Sequence, residues 1–194
     1  MANKVRFGVS NARYALETDE GFGSWTRIPG VVQIQLEPQE SQSDFYADNM
    51  NYFTQAGAAS DNITLEIADL ADQAKIDLLG YVQDSTSGGL VLPVNATRKS
   101  FALGFQVEGD ETKLRIVIYG GKLNRPSMTH STTSDTTEPE TMSIEGKFSG
   151  KVFTVGGEDV PYLYLTTTDA GDTHTAYDAF WTAVPTPGTA PSAG

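Results

Sequence analysis

Apolar and polar residues alternate along much of this chain, and a period of two commits such segments to β-strands with one face buried. Val32, Ile34 and Leu36 alternate with Gln33, Gln35 and Glu37. Ile63, Leu65 and Ile67 flank Thr64 and Glu66. Phe101, Leu103, Phe105 and Val107 point one way, with Ala102, Gly104 and Gln106 between them. After Glu108-Gly109-Asp110-Glu111 the habit resumes with Leu114, Ile116 and Ile118 against Arg115, Val117 and Tyr119. That pair predicts a β-hairpin turning near Gly109-Asp110. Met142, Ile144 and Phe148 extend the pattern. Half-buried antiparallel strands account for all of it.

Two segments follow a helical period instead. Ile67, Leu70, Ala71, Ala74, Leu78, Tyr81 and Val82 share one face, with Asp69 as the expected cap, Asp72 in the first turn and Gly80 as the stop. Later, Ala176, Ala179, Phe180 and Ala183 share a face that Pro185 ends. Residues 38–50 and 124–141 read as polar loops, the second long enough to imply a function or a partner that orders it. Residues 185–194, rich in Pro, Gly and Ala, read as a flexible tail beyond a single domain spanning 1–184. The expected class is α+β but mainly β: an antiparallel sandwich or half-barrel with one flanking helix.

Charge and cysteine content exclude several functions. The chain has 194 residues, no cysteine and a formal charge of −12. Thiolate metal sites, disulfide scaffolds and cysteine nucleophiles are therefore impossible. Residues 98–125 concentrate six bases against three acids, whereas residues from 152 onward carry five acids and no Lys or Arg. Such a surface repels free nucleic acid, whose binders present basic patches. No secretory signal or membrane span is apparent, which implies assembly in a cytoplasm.

Catalytic chemistry has little to work with, and no catalytic residue or cofactor is expected. His130 beside Ser131 does not make a triad, since adjacent residues cannot adopt its geometry. Asp169, Asp172, His174 and Asp178 form the best metal candidate, but their spacing matches no calcium loop, and acids favour helix starts anyway. No metal is assigned. Asp110 and Glu111 keep a turn in water, and Gly120-Gly121-Lys122 lacks the rest of a phosphate loop and reads as a bulge or strand end.

An aromatic cluster carries more information. Phe45-Tyr46 and Tyr52-Phe53, with Met50 between them, bracket a turn near Asp48-Asn49. Either they form a hairpin packed on its own core, or they protrude and fill a neighbouring subunit, where aromatics and Met are enriched. Aromatics on a β-sandwich also suit sugar rings.

The order of segments resembles the major tail proteins of siphophages and prophages of Gram-positive bacteria. The resemblance starts with Lys4-Val5-Arg6-Phe7-Gly8-Val9-Ser10-Asn11-Ala12-Arg13-Tyr14-Ala15 and Ile28-Pro29-Gly30-Val31. It continues through Phe45-Tyr46-Ala47-Asp48-Asn49, Leu65-Glu66-Ile67 and Leu79-Gly80, then Phe101, Phe105, Gly109 and Tyr119. Asn124-Arg125-Pro126-Ser127 and Glu138-Pro139-Glu140-Thr141 complete a match over most of residues 4–148. It implies a tail-tube fold of two packed antiparallel sheets with a flanking helix, assembling into hexameric rings that stack head-to-tail. The implied protein is a structural component of the virion tail, with tape-measure and terminator proteins as further partners. DNA would pass through its lumen during ejection without specific binding, and no membrane is involved. Phe45, Tyr46, Met50, Tyr52 and Phe53 then become subunit-interface candidates, and Glu37, Glu40, Asp44 and Asp48 candidates for an acidic lumen wall. The alternatives are a non-catalytic carbohydrate-binding β-sandwich module and a tail terminator or connector ring.

Overall fold

The computed structural model describes residues 8–189 except 41, 48–49, 58, 110–112, 128–140 and 170–173, and the backbone alone over 42–47 and 51–56. The chain opens with β1 (Gly8–Thr18), the short strands β2 (Gly21–Phe22) and β3 (Thr26–Arg27), and the long β4 (Val31–Gln39). A ribbon of β5 (Gln42–Ala47) and β6 (Met50–Ala56) leads to β7 (Ser60–Ile67), α1 (Asp72–Leu79) and the small pair β8 (Val82–Gln83) and β9 (Leu90–Val91). Next come β10 (Phe101–Glu108), β11 (Arg115–Leu123), β12 (Met142–Phe148), β13 (Lys151–Val155), β14 (Glu158–Tyr162), β15 (Tyr164–Thr167) and α2 (His174–Ala179). The protein is mainly β, with two helices among the described residues, in the expected class. Among the described residues no helix is long and apolar enough to cross a membrane.

One antiparallel sheet dominates, in the order β2-β1-β10-β11-β12-β7-β4, with β3 paired to β1 and β15 to β11. β1 and β4 stand far apart in that order yet lie against each other, so the sheet curls round its own core. The layering is therefore a curled single sheet where two packed sheets were one expected form. Its concave side holds Tyr14, Ile63, Leu65, Ile67, Phe101, Leu103, Ile118, Ile144 and Phe148, closed by Leu70, Ala74, Leu78 and Leu79 from α1 and its approach. The Tyr14 hydroxyl donates to Asp77 Oδ2 at 2.8 Å and so ties β1 to the helix. Burial first, then Asp77, raises the Tyr14 pKa.

The expected hairpin is present: β10 and β11 pair antiparallel, and Gly109 stands at φ +83° after the first strand. Their outer face differs from expectation. Ala102, Val117 and Tyr119 are fully buried there, under a second apolar layer of Phe22, Trp25, Phe153, Tyr162, Leu165, Phe180 and Trp181. Strands covered on both sides need apolar residues at consecutive positions, which is why Phe101–Phe105 is buried without a break.

Gly120-Gly121 is a bulge inside β11, as the sequence allows. The register slips between Phe101↔Gly121 and Leu103↔Ile118. At this point the free edge of β11 changes partner, from β15 over Arg115–Ile118 to β12 over Gly121–Leu123. Gly120 takes φ +70°, and a Cβ on it would overlap the Gly150 carbonyl oxygen.

Other sequence expectations shift. α1 starts at Asp72, so Ile67 belongs to β7 and Val82 to β8. Asp69 does not cap the helix: the N-cap position is Ala71, without a side-chain bond, and Asp69 Oδ1 accepts from the Leu70 N–H at 2.8 Å. Gly80 does stop it, in the left-handed conformation. The described residues of 38–50 are not all loop: they include the end of β4, the whole of β5 and the first residue of β6. In α2 the buried residue is Tyr177, and Ala183 lies beyond the helix, exposed. Of the expected tail, residues 185–187 are half-buried and the Pro185 carbonyl accepts from the Tyr119 hydroxyl at 2.6 Å. Residues 190–194 and most of the 124–141 connection lie outside the described residues.

Candidate assembly surface

The β4-β7-β12 end of the sheet has one apolar face and one open polar face. Ile34 and Leu36 turn inward, so Gln33, Gln35 and Glu37 turn outward. Register extends each of these into a row: Gln33–Glu66–Ser143, Gln35–Thr64–Glu145, and Glu37–Asn62–Lys147 continued by Lys122. Three carboxylates and two ammonium groups thus share one flat, wet surface. Glu37, an expected lumen candidate, belongs to it. Glu66 and Glu145 were missed because their roles depend on which strands become neighbours. Their signal was present in the alternation, where each is the polar member of a buried-polar pair.

Val32 sits at a bulge in β4, between Val31↔Ile67 and Gln33↔Glu66, which throws it outward. β4 is the last strand of the sheet, nine residues long, and among the described residues no strand pairs with its outer edge. Unpaired backbone N–H and C=O groups along such an edge are a template for another chain. Pro38 near its end interrupts the donors only locally.

β5 and β6 continue from this edge as a ribbon that, among the described residues, pairs only with itself. Phe45 stands opposite Phe53, but the register slips at the next step and Tyr46 meets Asn51, leaving Tyr52 at the bulge. The aromatics therefore do not all form cross-strand pairs. Met50 opens β6 and is 68% exposed. Glu40 is exposed between β4 and β5, Asp44 lies in β5 opposite Thr54, and Asp48 falls outside the described residues.

The metal candidate resolves into a clasp. His174 Nδ1 is 2.9 Å from Asp169 Oδ1, and its Nε2 is 3.5 Å from Asp178 Oδ2. Lys113 Nζ reaches the other Asp169 oxygen at 2.6 Å. The Lys113 hydrogen bond holds the Asp169 carboxyl below its ordinary range, and Asp169 in turn raises Lys113. Ligand atoms of Asp169, His174 and Asp178 lie within 4.8 Å of one another, close enough to share a divalent cation, but any such ion competes with Lys113. Asp172, Asp110, Glu111, His130 and Ser131 lie outside the described residues.

Beside this clasp, Arg115 stacks over Tyr177 at 3.6 Å from the ring centroid, and its Nε donates to Gln106 Oε1 at 3.2 Å. Arg13 covers Trp181 at 4.6 Å. Tyr177 and Trp181 thus help hold the C-terminal segment on the sheet. A scan against models of known protein families found no match to this chain, and neither did a search of curated proteins.

Proposed function

We propose that this chain is a structural subunit that assembles through its sheet edge into rings, and that the rings stack as the tail tube of a siphophage or prophage. The observation that carries the reading is the outer edge of the nine-residue β4, unpaired among the described residues, beside the ribbon β5–β6. A monomer gains nothing from a long open edge, and a two-stranded ribbon is marginally stable in water. Closing edges around a ring removes the liability, and unlike faces on the ring make stacking open-ended. In the proposed tube, hexameric as the sequence resemblance implies, the polar face of β4-β7-β12 forms the lumen wall. Its interspersed Glu37, Glu66 and Glu145 offer DNA no continuous basic track, so phosphate finds no counterion-releasing grip during passage. Interface residues from the ribbon are Phe45, Tyr46, Met50, Tyr52 and Phe53, and tape-measure and terminator proteins are the further partners.

Negative-stain electron microscopy and light scattering of the purified protein at rising concentration test this reading. Rings or hollow tubes of uniform width are the expected result. A protein that stays monomeric at every concentration, also when seeded with a tail-tip initiator complex, overturns it.

A further inference from the structure

A groove of about 320 Å³ runs between the end of α1 and the segment that follows β9. Tyr81, Leu92, Pro93 and Val94 give it apolar walls, and Arg98 and Arg125 stand over it. Val94 is fully exposed at its rim, although large aliphatic side chains are normally drawn inward. Arg98 donates to the Asn124 side-chain oxygen at 3.3 Å, and neither arginine forms an ion pair among the described residues. Two guanidinium groups without a carboxylate partner among the described residues are notable in a chain carrying 25 acids against 13 bases. The groove suits an occupant that is both apolar and acidic.

The chain itself contains a segment of that chemistry whose strands, among the described residues, pair only with each other. From Glu40 to Ala56 there are three acids (Glu40, Asp44 and Asp48), no Lys or Arg, and the aromatics of β5 and β6. Its ribbon makes no extensive packing with any other described element of its own subunit. We infer that the Arg98/Arg125 groove of one subunit receives the acidic, aromatic β5–β6 ribbon of a second copy of this chain. The inference rests on the self-assembly reading and adds to it the receiving surface. Ribbon and groove are different patches, so the contact is heterologous and repeats from copy to copy without self-closure in a pair.

Charge exchange tests it. One full-length variant carries Arg98→Glu and Arg125→Glu, and a second carries Glu40→Lys and Asp44→Lys. Thermal melts confirm that each folds, and sedimentation velocity with electron microscopy reads assembly. Like charges then face each other in either variant alone, so the concentration needed for assembly should rise at least about tenfold. In an equal mixture every contact between unlike variants pairs opposite charges, so alternating copies should assemble close to wild type. Folded variants that assemble alone as wild type does, or a mixture that stays unassembled, overturn the groove assignment while the self-assembly reading stands. A wild-type protein that never assembles overturns both.

Discussion

Asp61 is 3% exposed, stands opposite Phe148 and Pro38, and has one carboxylate oxygen without a hydrogen-bond partner. Desolvation raises its pKa. A raised carboxylate pKa means that the charged form is penalised in the folded state: the penalty is full above the folded pKa and vanishes as pH falls through it toward the unfolded value. Asp61→Asn is therefore expected to stabilise the protein at pH 7 by about 1–2 kcal/mol, a rise of roughly 2–4 °C per kcal/mol in a chain of this size. The gain should shrink as the pH drops into the carboxylate range. Paired melts at pH 7 and pH 4 check this, and a lower melting temperature for the Asn variant at pH 7 contradicts it. The alternation of β7 puts Asp61 in phase with the inward-facing Ile63, Leu65 and Ile67, so a carboxylate stands where an apolar side chain is expected. Its burial comes from the strands on either side.

At the scale of elements, the second apolar layer shows how a weak sequence signal becomes a fold feature. Phe180 is fully buried, stacked 6.0 Å from Trp25 and edge-on to Trp181 at 4.7 Å, while its carbonyl accepts from Trp25 Nε1 at 2.8 Å. Phe180→Ala should cost about 3–5 kcal/mol, and the loss should fall unevenly. Amide hydrogen exchange is expected to quicken over residues 174–189 well before β7 and β12, whose core lies on the other side of the sheet. Uniform loss of protection would mean that the two layers are one cooperative unit. The strands and α1 could be read from spacing because alternation and helical period are local properties. α2 was placed from Ala176, Ala179, Phe180 and Ala183 on one face; Phe180 is buried just past the helix end, but within the helix the buried residue is Tyr177. The sheet face they cover is contributed by residues more than fifty positions earlier.

For the whole molecule, charge placement on the open face decides how it meets DNA. Glu37, Glu66 and Glu145 against Lys122 and Lys147 leave that face one negative charge. Changing all three acids to Lys makes it strongly basic without touching the apolar side. Assembled variant is then expected to retain labelled duplex DNA at low ionic strength and release it as salt rises, whereas wild type shows no retention. Fluorescence anisotropy across a salt series reads this. Equal behaviour of the two proteins would remove that face from the lumen wall.

The order of alternating segments determined the mainly-β class, the β10–β11 hairpin and the Gly80 stop, and narrowed Gly120-Gly121 to a bulge or strand end, since each depends on backbone geometry within a few residues. Resemblance along residues 4–148 determined the expectation of a tube subunit. Tertiary structure alone decided that β4 is an open edge, that Glu66 and Glu145 share a face with Glu37, that Arg98 and Arg125 border one groove, and that Asp169, His174 and Asp178 meet at Lys113. Those are juxtapositions of distant segments, set by strand order and register, and the local periodicity of any one strand is compatible with many such orders.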